Sequence, residues 1–199
     1  MEEWDLISII KALVMDTTGS STGVLKGCAV RILKHFKVIL FFFGCRHHWT
    51  ELIAKDLWYK LFDVDLSPEC AFFNSIKLRW EEMDTSGQTP LRQIDVMELA
   101  ELEEWREESI IFYKDILSRR DKKDEVATRD DYRELAESAL YLLGGIKSKF
   151  WRKPGASHKA RFCAFGIYAM RAFAFGDQLD LDEEMLESLG RFCQFLTTV

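Results

Sequence analysis

The sequence predicts an α/β to mostly α protein, in which one β-α-β unit precedes a long helical region. Three observations carry that expectation. Two short apolar runs, Ile7 to Met15 and Val38 to Phe43, are bounded by turn residues and read as strands; the segment between them has helical spacing; and beyond His47 apolar residues recur every three or four positions. With 199 residues, 48% of them hydrophobic, the chain can bury a substantial core. We place the boundary so that 1–66 forms the β-α-β core with its following helix and 67–199 the helical region.

Taken in order, Ile7 to Met15 is rich in Ile, Leu and Val and stops at Asp16-Thr17-Thr18-Gly19-Ser20-Ser21-Thr22-Gly23, the pattern of a buried strand ending in a loop. Ser20 to Lys37 carries Val24, Cys28, Val30, Ile32 and Phe36 at helical spacing. Val38 to Phe43 is short, continuous and aromatic, which predicts a second buried strand. Strand, helix and strand in that order imply parallel pairing with a right-handed crossover. Two parallel strands make a poor sheet alone, so helices must cover them or a second copy must extend them, and a homodimer through an exposed strand edge is one expectation.

Trp49, Leu52, Ile53, Leu57, Trp58 and Leu61 then trace an amphipathic helix ending near Phe62. Ser67-Pro68-Glu69 is a helix start, with a capping hydroxyl and a proline in the first turn, leading into Ala71 to Met83. Asp84 to Pro90 reads as a linker. Leu91 to Arg120 predicts one long charged helix, acidic first and basic at its end, as the helix dipole favours. After a mixed charge run from Arg119 to Glu125, Thr128 to Leu143 predicts a helix closed by Gly144-Gly145. A loop from Lys147 to Ser157 and helices over Ser157 to Phe175 and Asp182 to Thr197 complete the chain.

The formal charge of −6 argues against a globally basic surface, so any nucleic-acid contact must be local. The five cysteines are scattered and form no C-x-x-C pair, which predicts buried thiols in a reducing compartment. Met1-Glu2-Glu3-Trp4-Asp5 lacks the basic start of a signal peptide, and the apolar run from Val38 to Gly44 is too short to cross a bilayer. The expectation is an intracellular protein, nuclear or cytoplasmic, with no membrane contact.

Asp16 is the first candidate functional residue. A carboxylate at the C-terminal end of a strand projects into the crevice above the sheet, where Mg²⁺ can take oxygen ligands; Asp-Thr-Thr-Gly is equally good turn chemistry. Cys45 and His48 form a C-x-x-H directly after the second strand, a structural pair or half of a zinc site that lacks two further ligands. Lys147, Lys149, Arg152, Lys153, His158, Lys159 and Arg161 form an acid-free basic cluster with Phe150 and Trp151 interleaved, the combination that phosphate neutralisation and base stacking use. Its alternative is a solvated loop with Trp151 folded into the core. The acidic face from Asp95 to Glu108 around Trp105 reads as solvated or as a docking surface, and the series Phe162, Phe165, Tyr168, Phe173, Phe175 reads as helix core.

Asp16-Thr17-Thr18-Gly19-Ser20-Ser21-Thr22-Gly23, followed by a helix, an apolar strand and Cys45-Arg46-His47-His48, resembles the segment around the second catalytic Asp and the C-x-x-H motif of hAT-superfamily transposases, which have an RNase H-like core. A pattern such as Tyr132-Arg133-Glu134-Leu135, then Leu143-Gly144-Gly145, then Pro154-Gly155-Ala156-Ser157-His158-Lys159-Ala160-Arg161 is similar to the second half of transposon-derived proteins of invertebrates. The resemblance spans roughly Lys11 to Phe175. It implies that Asp16 is the second acid of a three-carboxylate, two-metal set. The first acid would sit on a strand many tens of residues upstream, Asp5 is no substitute, and Glu134 and Glu137 are the nearest candidates for the third.

The resulting expectation is a truncated, domesticated transposase relative with a partial RNase H-like unit and an incomplete metal site, acting as a non-catalytic protein- or nucleic-acid-binding factor with no cofactor, through a protein partner or a homodimer. The alternatives are a Mg²⁺-dependent nuclease or strand-transfer enzyme, and a purely helical interaction module in which Asp16 and Cys45 are structural.

Overall fold

The computed structural model describes residues 9–62, 71–86, 89–95, 100–118, 130–155 and 161–198. The protein is mostly helical, with one two-stranded parallel sheet. Its contacts divide the chain into a first unit, Met1–Ile53, and a second, Ala54–Val199. The boundary expected at 66 falls outside the described residues.

In the first unit, β1 (Ala12–Met15) pairs in parallel with β2 (Phe41–Gly44), with Ala12 opposite Phe41, Leu13 opposite Phe42, Val14 opposite Phe43 and Met15 opposite Gly44. The strand-helix-strand order is the one expected, but its details differ. The single helix expected from Ser20 to Lys37 is two: a turn, α1 (Gly19–Thr22), and α2 (Cys28–Phe36). Gly23 and Gly27 cause the break. Both take extended backbone angles at the helix ends, and a Cβ on Gly23 would lie 2.4 Å from the carbonyl oxygen of Gly19. α2 ends at Lys37 in the left-handed region, φ 53°.

The larger correction concerns burial. Both strands were expected to be buried, yet Phe41 is 73%, Phe43 55% and Val14 68% exposed, and Ala29 is the one fully buried hydrophobic residue of this unit among those described. Continuous apolar sequence marks a strand that can be covered on both faces; it does not supply the layers that cover it.

Helix α3 (Arg46–Leu61) contains the division between the units, and α4 (Ala71–Arg79), a 3-10 turn (Trp80–Glu82), α5 (Ala100–Ser118), α6 (Asp130–Leu142), α7 (Arg161–Ala174) and α8 (Glu183–Thr198) follow. α6 packs against α5 and α7, and α7 against α8. Trp58, 1% exposed, stands at one centre of the second unit's core, its ring centroid 4.0 Å from that of Phe62, 5.1 Å from Phe192, 5.4 Å from Phe165 and 5.6 Å from Phe73. Trp151 makes a second centre, edge-on to Tyr141 and Phe175. Tyr168, Phe173 and Phe175 of the aromatic series are thus core and Phe165 packs against it, as their spacing predicts, while the Phe162 side chain lies outside the described residues.

Leu91 to Asp95 is not the start of a helix. The stretch has no regular secondary structure, and its amides donate to other elements: Arg92 N–H to the Ala174 carbonyl at 3.1 Å and Ile94 N–H to the Leu142 carbonyl at 2.9 Å. Propensity favoured helix; tertiary hydrogen bonds to the C-terminal ends of α6 and α7, whose last carbonyls need partners, decided otherwise. Within the expected linker, of which residues 87–88 lie outside the described residues, the Asp84 carboxylate accepts from the amides and hydroxyls of Ser86 and Thr89. Those bonds, Ser86's first, hold its carboxyl well below the usual range. At the end of α6 the expected glycine cap is present: Gly144 has φ 74°, and the Gly145 amide donates to the Leu140 carbonyl at 2.9 Å. Arg79 ties α4 to the turn before α8, donating to the carbonyls of Leu179 and Gln178 and to the Asp180 carboxylate.

Candidate functional site

Two groups of residues single themselves out, one in each unit. In the first, Asp16 directly follows β1. Its Oδ1 accepts from the Thr18 amide at 3.2 Å and the Thr18 hydroxyl at 2.6 Å, an Asx turn that sets the chain toward α1. Hydrogen bonds from the Ser21 and Thr18 hydroxyls, then from the Thr18 amide, lower its pKa to about 2. Asp16 is therefore an anion throughout the physiological range, half-buried at the C-terminal end of the strand.

Cys45 stands at the same end of the sheet, after β2. Its amide donates to the Met15 carbonyl at 2.7 Å, extending the ladder by one bond, and its carbonyl accepts from the amides of His48 and Trp49, which starts α3. The thiol is free and half-buried. The spacing of the C-x-x-H is thus the spacing of a first helical turn, and it carries His48 to the Asp16 end of the sheet, where its charge adds the smallest of the contributions lowering the Asp16 pKa. A shallow hollow of about 430 Å³ opens between Val14, Phe43 and the turn Gly44 to His47. A Cβ on Gly44 would come 2.5 Å from the indole nitrogen of Trp49, so a larger residue there would have to displace that ring.

Among the described residues no group of three His, Cys, Asp or Glu side chains converges as metal ligands. A two-metal centre needs several carboxylates around the ions, so the donor set described around Asp16 does not fit one. Glu134 and Glu137, the nearest candidates for a third acid, each hold an arginine within the second unit: Glu134 pairs with Arg171, and Glu137 with Arg133 at 3.0 Å.

The second group is the basic loop between α6 and α7, which the structure divides. Lys147 is exposed, and Phe150 beside it is 79% exposed. Lys149 turns inward: its Nζ donates to the Ser138 hydroxyl at 2.9 Å and lies 4.0 Å from the centroid of the Trp151 ring, which is itself buried. Burial, the largest influence, brings the Lys149 pKa down to about 8, against the opposing pull of Glu134 and Glu137. Lys153 pairs with Glu81. Arg152 is half-buried, and its carbonyl accepts from Arg171 at 2.8 Å. Arg161 opens α7, while His158 and Lys159 lie outside the described residues.

Arg171, 2% exposed, is the functional-looking residue that sequence reasoning passed over. It pairs with Glu134, donates to the Arg152 carbonyl, and lies 5.4 Å from the Trp80 ring and 5.7 Å from that of Tyr168. The signal was available: an arginine that follows nine uncharged, mostly apolar residues of a helix must find an internal partner or leave the core. None of the helices among the described residues is long and apolar enough to cross a membrane. No protein-family model matches the chain, and no curated protein or solved structure matches it either.

Proposed function

We propose that the chain is a non-catalytic binding protein that docks a protein through the sheet of its first unit, a second copy of the chain being the occupant that the open strand edges favour. The observation that carries this reading is the exposure of Phe41, Phe43 and Val14, which the strand register puts on one face of a two-stranded sheet. A two-stranded sheet leaves an unpaired edge on each strand and has too little partner area to bury such a face itself. A second copy that packs the same face of its own sheet against this one would cover those rings.

A protein occupant is favoured over a nucleic acid by charge. The chain carries a formal −6, and in the basic loop Lys149 and Lys153 already hold Ser138 and Glu81. As to origin, descent from an RNase H-like transposase core is supported by Asp16 directly after β1 and Cys45 directly after β2. Sedimentation velocity over a dilution series tests the docking. The expected result is a concentration-dependent dimer that the double variant Phe41→Ser/Phe43→Ser abolishes while keeping its far-UV circular dichroism. A wild-type chain that stays monomeric throughout the series would remove the basis of this reading.

A further inference from the structure

The two sides of α5 are unlike. Arg106 and Tyr113 face the core of the second unit: Arg106 donates to the Leu143 carbonyl at 2.8 Å, and the Tyr113 hydroxyl to the Thr197 carbonyl at 3.1 Å. Trp105 and Phe112 each stand one residue earlier, about 100° round the helix. They are 52% and 58% exposed, and Ile111 is 68% exposed. Glu108 falls between the two rings, three residues after one and four before the other, with Glu104 and Glu107 beside it, all three exposed. Aromatic rings interleaved with carboxylates therefore line an open side of α5.

Rings and acids alike are unfavourable as they stand. Large aromatic side chains grouped in water mark interfaces. Glu104 lies three and four residues from Glu107 and Glu108, so like charges repel along the helix surface. Among the described residues no cation pairs with these three, and Arg106 is taken by Glu103. One kind of occupant relieves both costs, a surface carrying cations beside apolar side chains. A second copy of this face does not, since it would bring further carboxylates against the first.

We propose that this side of α5 is a docking surface for a basic amphipathic helix of another protein. The partner's apolar side chains cover Trp105, Ile111 and Phe112, and its lysines and arginines reach Glu104, Glu107 and Glu108. A guanidinium laid on the Trp105 ring gains a cation–π contact as well. The spacing points to a helix rather than an extended segment, because ring, carboxylate and ring recur at the three- and four-residue intervals along which two helices pack. The surface belongs to the second unit and does not depend on the reading of the sheet in the first.

The test uses the full chain and two fluorescently labelled peptides of about 20 residues, long enough to form a helix. One carries leucines at helical spacing flanked by lysine and arginine; the other has glutamate in place of every cation. The basic peptide is expected to bind, with an affinity that falls at least about tenfold between about 0.05 M and about 0.5 M salt, and the acidic peptide is expected not to bind. Trp105→Ala/Phe112→Ala should weaken binding at least about tenfold. Glu104→Gln/Glu107→Gln/Glu108→Gln should weaken it as much and flatten the salt dependence. All five side chains are exposed, so both variants should keep the wild-type circular dichroism. Glu183→Gln/Glu184→Gln/Glu187→Gln removes the same charge from α8 and should leave the affinity within about twofold. An equal loss in that variant would mean general attraction to an acidic chain and would overturn the proposal. So would a basic peptide that does not bind, binding indifferent to the two rings, or binding that Phe41→Ser/Phe43→Ser abolishes.

Discussion

The same residue type meets opposite fates in the two units. Phe41, Phe42 and Phe43 in β2 are 73%, 43% and 55% exposed, whereas Phe73, Phe175 and Phe192 in the second unit are 2%, 0% and 0% exposed. The difference lies in how many layers each element can recruit. A helix needs one apolar stripe covered, and α6, α7 and α8 cover one another; a strand presents side chains to both faces, and a two-strand sheet has no second layer of its own. Hydrophobic sequence thus counts as core only where the architecture supplies a partner surface.

The sharpest way to break this comparison is to truncate one ring in each unit. Trp58→Ala removes an indole touching four phenylalanines and is expected to cost about 3–5 kcal/mol in thermal or denaturant unfolding. At concentrations low enough to keep the chain monomeric, Phe41→Ala is expected to change the same transition by less than about 0.5 kcal/mol, because in the single chain its ring is already in water. Comparable losses for the two would mean that β2 is buried in solution.

Next in size is the Arg171–Glu134 pair. Glu134→Ala leaves the guanidinium buried at 2% exposure with its carboxylate partner gone, and a loss of about 3 kcal/mol in denaturant unfolding is expected. A loss under about 1 kcal/mol would show the pair to be exposed to water, as a surface pair is.

The smallest effect is the pH dependence set by Lys149. Its folded pKa of about 8 lies below the ordinary lysine value of 10.5, so between those pH values the unfolded chain binds more protons than the folded one. Stability from this residue therefore rises with pH through that window, and below pH 8 its burial is a full penalty. The raised pKa values of Tyr113, to about 12, and of Cys193, both caused by burial, act in the opposite direction at alkaline pH. The difference between wild type and Lys149→Met cancels them: any advantage of Lys149→Met should shrink between pH 8 and 10. A difference that stays flat would mean an exposed lysine.

How much was legible in the sequence follows the range of the interactions involved. Strand, helix and strand at the N-terminus, the helices after His47 and the glycine cap at Gly144 were readable, because each rests on periodicity or on the conformational freedom of one residue within a few positions, whereas Trp151 was left open between base stacking and the core. Asp16 at a strand end and Cys45 before a helix were readable for the same reason. The non-helical course of Leu91 to Asp95 was not, since the Arg92 and Ile94 amides are satisfied by carbonyls of Ala174 and Leu142, far along the chain. Nor was the division of the basic cluster: seven cations adjacent in sequence look alike until Ser138, Glu81 and the face of Trp151 take up particular ones.

By itself, then, the sequence determined element type and order, the acidic surface and the turn chemistry of Asp16, all properties of neighbouring residues. The tertiary structure alone decided which apolar runs became core, which lysine lost its water and which arginine was paired inside. Burial and desolvation depend on surfaces brought together from distant parts of the chain, and no local pattern encodes them.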